Sequence, residues 1–299
     1  MCSYFVDMRN CITFLASSIV ALCGGSFPAV AAPKVALLNA SSPWQVYYAD
    51  DSCRMGRTFG AGDDQIELVM EKFSPAQELD VTVVGKALRP GSGLIVPYTA
   101  GFGSDAATYK KAEAMNGTLG KEKTPVLALG TFHILWPKRP VLEAGAPDAD
   151  AVAKIRHFSL TINSRTFDLH FGPLKGVMAE MDKCTANLMT GWGLNPLQQA
   201  SLISPPIPVT SPAGWLRSGD YPAGALRSGV SSMVFFRLMV DADGSPASCH
   251  VQRGTMDASF QKLTCDLLMK RARFHPARDE KGGPVPSYYV ESVRWLNRR

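Results

Sequence analysis

The chain has no Cys-x-x-Cys pair, no Gly-x-Ser-x-Gly, no His-Glu-x-x-His, no Asp-Thr-Gly or Asp-Ser-Gly and no phosphate-binding glycine loop. Each absence removes a signal: paired-cysteine zinc or thiol redox chemistry, a serine-hydrolase elbow, a zinc-protease helix, an aspartic protease and a nucleotide cradle. Gly101-Phe102-Gly103-Ser104 lacks the third glycine of a dinucleotide loop. Charge of one sign is also scarce. The net charge of +5, from 31 basic and 26 acidic residues, is spread along the chain. Only the tail is locally basic, with Lys270, Arg271, Arg273, Arg278, Arg294, Arg298 and Arg299, so no nucleic-acid partner is expected.

No apolar run reaches the roughly 20 residues of a membrane-spanning helix. The longest apolar signal, Ile12 to Cys23, is about twelve residues, follows Arg9 and Asn10, and leads into small residues and Pro28. That pattern is a secretory signal peptide, expected over residues 1–31 with cleavage after Ala29-Val30-Ala31. Met8 is a candidate start, because Asp7 is out of place in a positively charged leader. Lipid attachment at Cys23 is disfavoured by the bulky Leu22 before it. The expected compartment is the periplasm with no permanent membrane span, or the inner membrane if the leader is retained.

What is there is enough apolar residue, 46% of 299, for two ordinary cores. Four cysteines remain beyond the leader: Cys53, Cys184, Cys249 and Cys265. An even number in an exported chain suggests disulfides. Four cysteines allow three pairings. The prolines Pro205, Pro206, Pro208 and Pro212 divide them two and two, so Cys53 is expected to pair with Cys184 and Cys249 with Cys265. Closing the second, short loop is worth about 3 kcal/mol in the chain-entropy picture.

The proline-rich stretch reads as a linker over residues 201–215, between an N-terminal domain at 32–200 and a C-terminal domain at 216–299. The first has strand-like alternation at Trp44 to Tyr48, then apolar runs at Met55 to Phe59, Ile66 to Phe73 and Leu79 to Val84. A short helix is expected from Asp105 to Met115 and a strand near Val126 to Leu135. A hairpin is expected at Phe158 to His170 around Asn163-Ser164-Arg165. A helix then starts near Pro173, with Leu174, Val177, Met178, Met181, Cys184 and Leu188 on one face. Cys184 thereby points inward and can reach Cys53 on a strand. The second domain reads as a hairpin around Asp241-Ala242-Asp243-Gly244, a helix from Met256 to Arg271 and a last strand from Val285 to Leu296. The class is α+β: a β-rich domain closed by a packed helix, then a small β-β-α-β domain.

The last 80 or so residues hold, in order, Tyr221-Pro222 with Ala225, the strand Val234 to Gly244 ending in Asp-x-Asp-Gly, Phe274-His275-Pro276-Ala277 and the turn Asp279 to Val285. This order of short motifs resembles the TonB C-terminal domain, the periplasmic module of proteins that couple inner-membrane energy to outer-membrane transporters. Cys249 and Cys265 fall where some relatives carry a strand-to-helix disulfide. Ser232 replaces the family's usual glycine, which extended backbone tolerates. An energy transducer also has an N-terminal anchor and a long Pro- and charge-rich spacer, where this chain has a leader and a folded domain. Lys175 to Pro196 resembles the end of an uncharacterised domain found before TonB-like modules.

The resemblance implies no catalysis and no cofactor. It implies that the last strand pairs with an extended peptide, such as the N-terminal segment of an outer-membrane receptor or another envelope protein, in the service of transmembrane transport. The residues expected to serve this partner are Tyr288, Tyr289, Val290, Glu291 and Val293, with Tyr221 and Pro222 at the domain entry. An edge strand offers unpaired backbone groups, which is the physical basis of strand addition. The alternatives are an envelope scaffold or assembly protein without transport coupling, and a periplasmic hydrolase sited in the first domain. Asp63-Asp64 and Asp148 to Asp150 are acidic enough to hold a cation but read as solvated, and His133, His157 and His170 show no carboxylate partner in sequence.

Overall fold

Alternating apolar residues build a ten-stranded sheet from ten segments: β1 Lys34–Asn39, β2 Gln45–Tyr48, β3 Cys53–Phe59, β4 Ile66–Lys72, β5 Glu78–Val84, β6 Ile95–Phe102, β7 Lys110–Leu119, β8 Thr124–His133, β9 His157–Ile162 and β10 Arg165–His170. The computed structural model describes residues 34–75, 78–106, 109–134, 149–254 and 258–297. The expected leader at 1–31 lies outside them, as do Asp148, Asp257, Arg298 and Arg299. Pro33–Arg299 form one compact unit.

The strands follow the order β1-β10-β9-β6-β7-β8-β5-β4-β3-β2. All neighbours are antiparallel except β1 and β10, which run parallel. The β9–β10 hairpin turns on Asn163 and Ser164, both at positive φ (46° and 62°), as a two-residue turn between right-twisted strands requires. The helix expected at Asp105 to Met115 is instead largely β7. Its alanines favour helix by only tenths of a kcal/mol each. Pairing with β6 on one side and β8 on the other outweighs that preference and buries Ala114.

Short helix α1, Ala149–Lys154, precedes β9, and the 17-residue helix α2, Lys175–Gly191, closes this part of the fold. α2 buries Val177, Met181, Cys184 and Leu188 against the sheet. The Cys53–Cys184 disulfide staples it to β3 across a Cα separation of 5.9 Å.

Residues 201–215 are ordered despite their prolines. After α3, Pro196–Ala200, the two-residue strand β11, Ile207–Pro208, leads to Trp215, which is buried. Then come α4 Ala223–Ser228, β12 Ser232–Val240, β13 Pro246–Gly254, α5 Ala258–Arg271, β14 Phe274–His275, β15 Ala277–Arg278, β16 Pro284–Val285 and β17 Ser287–Trp295. β11 pairs with β14, so the segment lies along the C-terminal module instead of hanging free. β12, β13 and β17 form an antiparallel sheet in the order β13-β12-β17. α5 covers one face with Phe260, Leu267 and Leu268, and the Cys249–Cys265 disulfide ties it to β13. The β12–β13 turn depends on Gly244, at φ 84°. A Cβ there would sit 1.9 Å from the Phe274 carbonyl oxygen. Ser232, where a glycine was expected, is a fully buried extended residue at the head of β12.

Candidate functional site

The two faces of the three-stranded sheet are both occupied. On the α5 side, Val234, Phe260, Trp295 and the partly buried Val293 share one core, and Phe236, Leu238, Trp215 and Phe274 share another with Tyr289 against them. On the opposite side the larger sheet closes over the module. Phe73 stacks on Phe235 at 4.5 Å between ring centroids, and Met233 and Val290 pack into the same cluster. Arg253 of β13 crosses the junction to bond Glu71 and Asp80 (2.7 Å), with its guanidinium over Phe235. Gln252 donates to the carbonyl oxygens of Asp51 and Phe73, each at 3.0 Å, and His250 meets Asp51 at 2.8 Å.

What stays unpaired is an edge. β17 pairs with β12 over nine residues, from Ser232 opposite Trp295 to Val240 opposite Ser287, with no register shift. No strand lies on its other side among the described residues. β13, the other edge, differs: its ladder with β12 breaks register between Phe235 and Phe236 and again between Met239 and Val240.

The side chains expected to meet a partner are mostly engaged at home. Tyr288 packs on Trp192 at 5.2 Å, and burial pushes its hydroxyl up to about 12. Tyr289 lies against Trp215 and Phe274, and burial likewise raises its pKa. Tyr221 donates to the Val230 carbonyl at 2.6 Å and packs between Phe260 and Trp295. Pro222 precedes α4. Glu291 is exposed as a residue, yet desolvation of its carboxyl, with Glu78 nearby, pushes its pKa up. Along β17 the exposed side chains are Glu291 and Arg294, while Val290 and Val293 are half-buried; the Glu291 carboxylate accepts from the Ser292 backbone N–H at 2.9 Å.

Residues 218–295 match the family described as Gram-negative bacterial TonB protein C-terminal. No curated protein and no solved structure matches the chain. The TonB C-terminal match covers α4, β12, β13, α5 and β17, so the free edge lies inside it. The matched segment is thus similar to the C-terminal part of the envelope-associated TonB proteins of Gram-negative bacteria. Among the described residues no helix is long and apolar enough to cross a membrane.

Two features at the junction were not legible in sequence. A cavity of about 370 Å³ is lined by Tyr48, Asp51, Trp192, Arg237 and His250, among others. Arg237 is buried there over the Trp192 ring (4.2 Å), and desolvation lowers its pKa. A smaller acidic cleft lies beside β17, with Glu71, Glu78, Asp80 and Glu291 on its walls. Burial raises the pKa of Asp80, against the pull of Arg253.

Elsewhere, His157 and His170 do have a carboxylate partner. They face each other across the β9–β10 hairpin, and Asp168 lies between them. The information was present in the turn: a two-residue turn at Asn163-Ser164 places residue 157 opposite 170. Asp63 and Asp64 sit in an exposed single turn and join no such group among the described residues.

Proposed function

We propose that the protein is a non-enzymatic periplasmic binding module, exported by its leader, in which β17 accepts an extended peptide from an outer-membrane receptor or another envelope protein. The observation that carries the reading is the unbroken nine-residue β17 register with an unpaired outer edge. A regular strand presents its free N–H and C=O groups at one spacing, which an incoming strand can match. Main-chain hydrogen bonds then supply affinity, and side chains alternating along the peptide supply selectivity. The family match supports the direction of the reading, because energy transducers engage receptors rather than catalyse.

The N-terminal sheet gives the module a setting of its own. By closing the face that carries Met233, Phe235 and Val290, it leaves recognition to the backbone edge. Selectivity then comes from the residues beside the edge, with Glu78 and Glu291 favouring peptides that carry Lys or Arg at alternate positions.

The test uses the mature chain with both disulfides intact and a panel of receptor N-terminal segments. Binding is read by calorimetry with each peptide in native form and with alternate backbone nitrogens methylated. Strand addition predicts at least about a tenfold loss on methylating the face that meets β17, since several main-chain bonds of about 1 kcal/mol each disappear, and little loss on methylating the other face. Equal affinity for all forms would contradict it, and silence across a broad panel would favour the scaffold reading.

A further inference from the structure

We propose that His157, Asp168 and His170 form a binding site for a borderline first-row divalent metal ion, with Zn²⁺ the representative. The three residues sit on one face at the open end of the β9–β10 hairpin, His157 directly opposite His170 and Asp168 two residues before it. Their ligand atoms all lie within 4.8 Å of one another. The Nε2 atoms of both rings point at the same carboxylate, at 3.7 Å from Oδ1 for His157 and 3.2 Å from Oδ2 for His170. Ligands about 2.1 Å from a tetrahedral Zn²⁺ stand about 3.4 Å apart, close to the two nitrogen–carboxylate spacings, and drawing the set from within 4.8 Å to that spacing needs a shift of about 1 Å.

The electrostatics point the same way. Asp168 Oδ1 is buried without a hydrogen-bond donor. Among the described residues neither Lys nor Arg pairs with this carboxylate, and its ion-pair partners are the two imidazoles. Those rings stack on each other, 5.1 Å between centroids and 16° between planes. A divalent cation at this point would take the two ring nitrogens and a carboxylate oxygen as ligands.

The backbone is already fixed. The His157 carbonyl accepts from Gly103 N–H at 3.0 Å and the His170 carbonyl from Ala40 N–H at 3.2 Å, so strands on both flanks hold the two histidines in place. The opposite face of the hairpin is anchored by Phe158, Leu160, Phe167 and Leu169 in the core. His157 is 17% and His170 35% exposed at the side chain, which leaves an entry path and room for water as a fourth ligand. The His₂–carboxylate donor set selects Zn²⁺, Co²⁺, Ni²⁺ or Cu²⁺ over Mg²⁺ and Ca²⁺, which prefer oxygen.

The experiment titrates Zn²⁺ into metal-stripped mature protein by calorimetry and repeats it with Mg²⁺. One saturable equivalent per chain for Zn²⁺ and none for Mg²⁺ is expected. His170→Gln and Asp168→Asn should each weaken Zn²⁺ binding by at least about 100-fold, because loss of outer-shell partners alone costs up to that much. His275→Gln, at an exposed position in β14, should leave binding unchanged. Should a variant fail to fold, the wild type still decides the matter by nitrogen NMR: Zn²⁺ must shift Nε2 of both His157 and His170. Absence of saturable Zn²⁺ binding, binding that survives the Asp168→Asn/His170→Gln pair, or shifts confined to other histidines would overturn the site.

Discussion

The two edges of the small C-terminal sheet differ in a way that bears on function. β13 is irregular: its ladder shifts register twice, Cys249 is bonded to α5, Arg253 is committed to Glu71 and Asp80 of the large sheet, and His250 and Gln252 to Asp51 and Phe73 in the loops beside it. β17 is regular over its whole length and has side chains packed on both faces, but its outer edge has no strand beside it among the described residues. Bulges and local ties are how proteins blunt an edge that must not recruit another strand. The contrast teaches that one edge of the module is closed by construction while the other is kept straight.

The most damaging way to break the comparison acts on β17 itself. Trp295 is buried at its end, donates to Thr264 Oγ1 at 3.0 Å and packs on Phe260 and Tyr221. Trp295→Ala should cost about 4 kcal/mol in denaturant unfolding and abolish peptide binding with it. Next in size, Arg253→Ala removes the tie that holds β13 to the large sheet. It strands Asp80, 5% exposed, and strips one partner from Glu71, so a loss of about 3 kcal/mol is expected. Affinity per folded molecule for a peptide without Lys or Arg should stay within about twofold, a change of less than about 0.5 kcal/mol, because the β17 backbone edge is untouched. Replacing Cys249 and Cys265 together by serine should cost about 3 kcal/mol by freeing the unfolded chain, again with binding retained.

The smallest effect concerns pH. Asp220 accepts hydrogen bonds from Arg271 and from the Arg217 backbone N–H, which hold its carboxyl down at about 2. A depressed folded-state pKa stabilises above the unfolded pKa, and that contribution disappears as pH falls through the folded one. After allowance for solvent screening, Asp220→Asn should cost about 1 kcal/mol at pH 7, and the gap to wild type should close between about pH 4 and pH 2. Unfolding curves across that range check it, and both edges should be affected alike.

Much of the C-terminal module was legible because its signals are local. The Asp241-Ala242-Asp243-Gly244 turn, the apolar face of α5 and the isolated β17 run each declare themselves within about a dozen residues. So did α2, whose spacing placed Cys184 toward Cys53. What was not legible depends on distant partners. β1 carries a short apolar run beside the leader, and its pairing with β10 joins residues more than a hundred positions apart. β7 looked helical because its alanines say nothing of the two strands that flank it. The closure of the module by the larger sheet was invisible for the same reason: Phe73 and Phe235 each read as ordinary core residues. The ring contacts of the half-buried Tyr288 with Trp192, and of Tyr289 with Trp215 and Phe274, were invisible for the same reason.

The most direct test is amide hydrogen exchange on the mature, disulfide-intact protein with and without a bound receptor segment. The account predicts that the peptide slows exchange at alternate amides of Ser287–Trp295, those facing away from β12, and leaves β13 unchanged. Protection appearing along Pro246–Gly254, or spread over both strands without alternation, would contradict it.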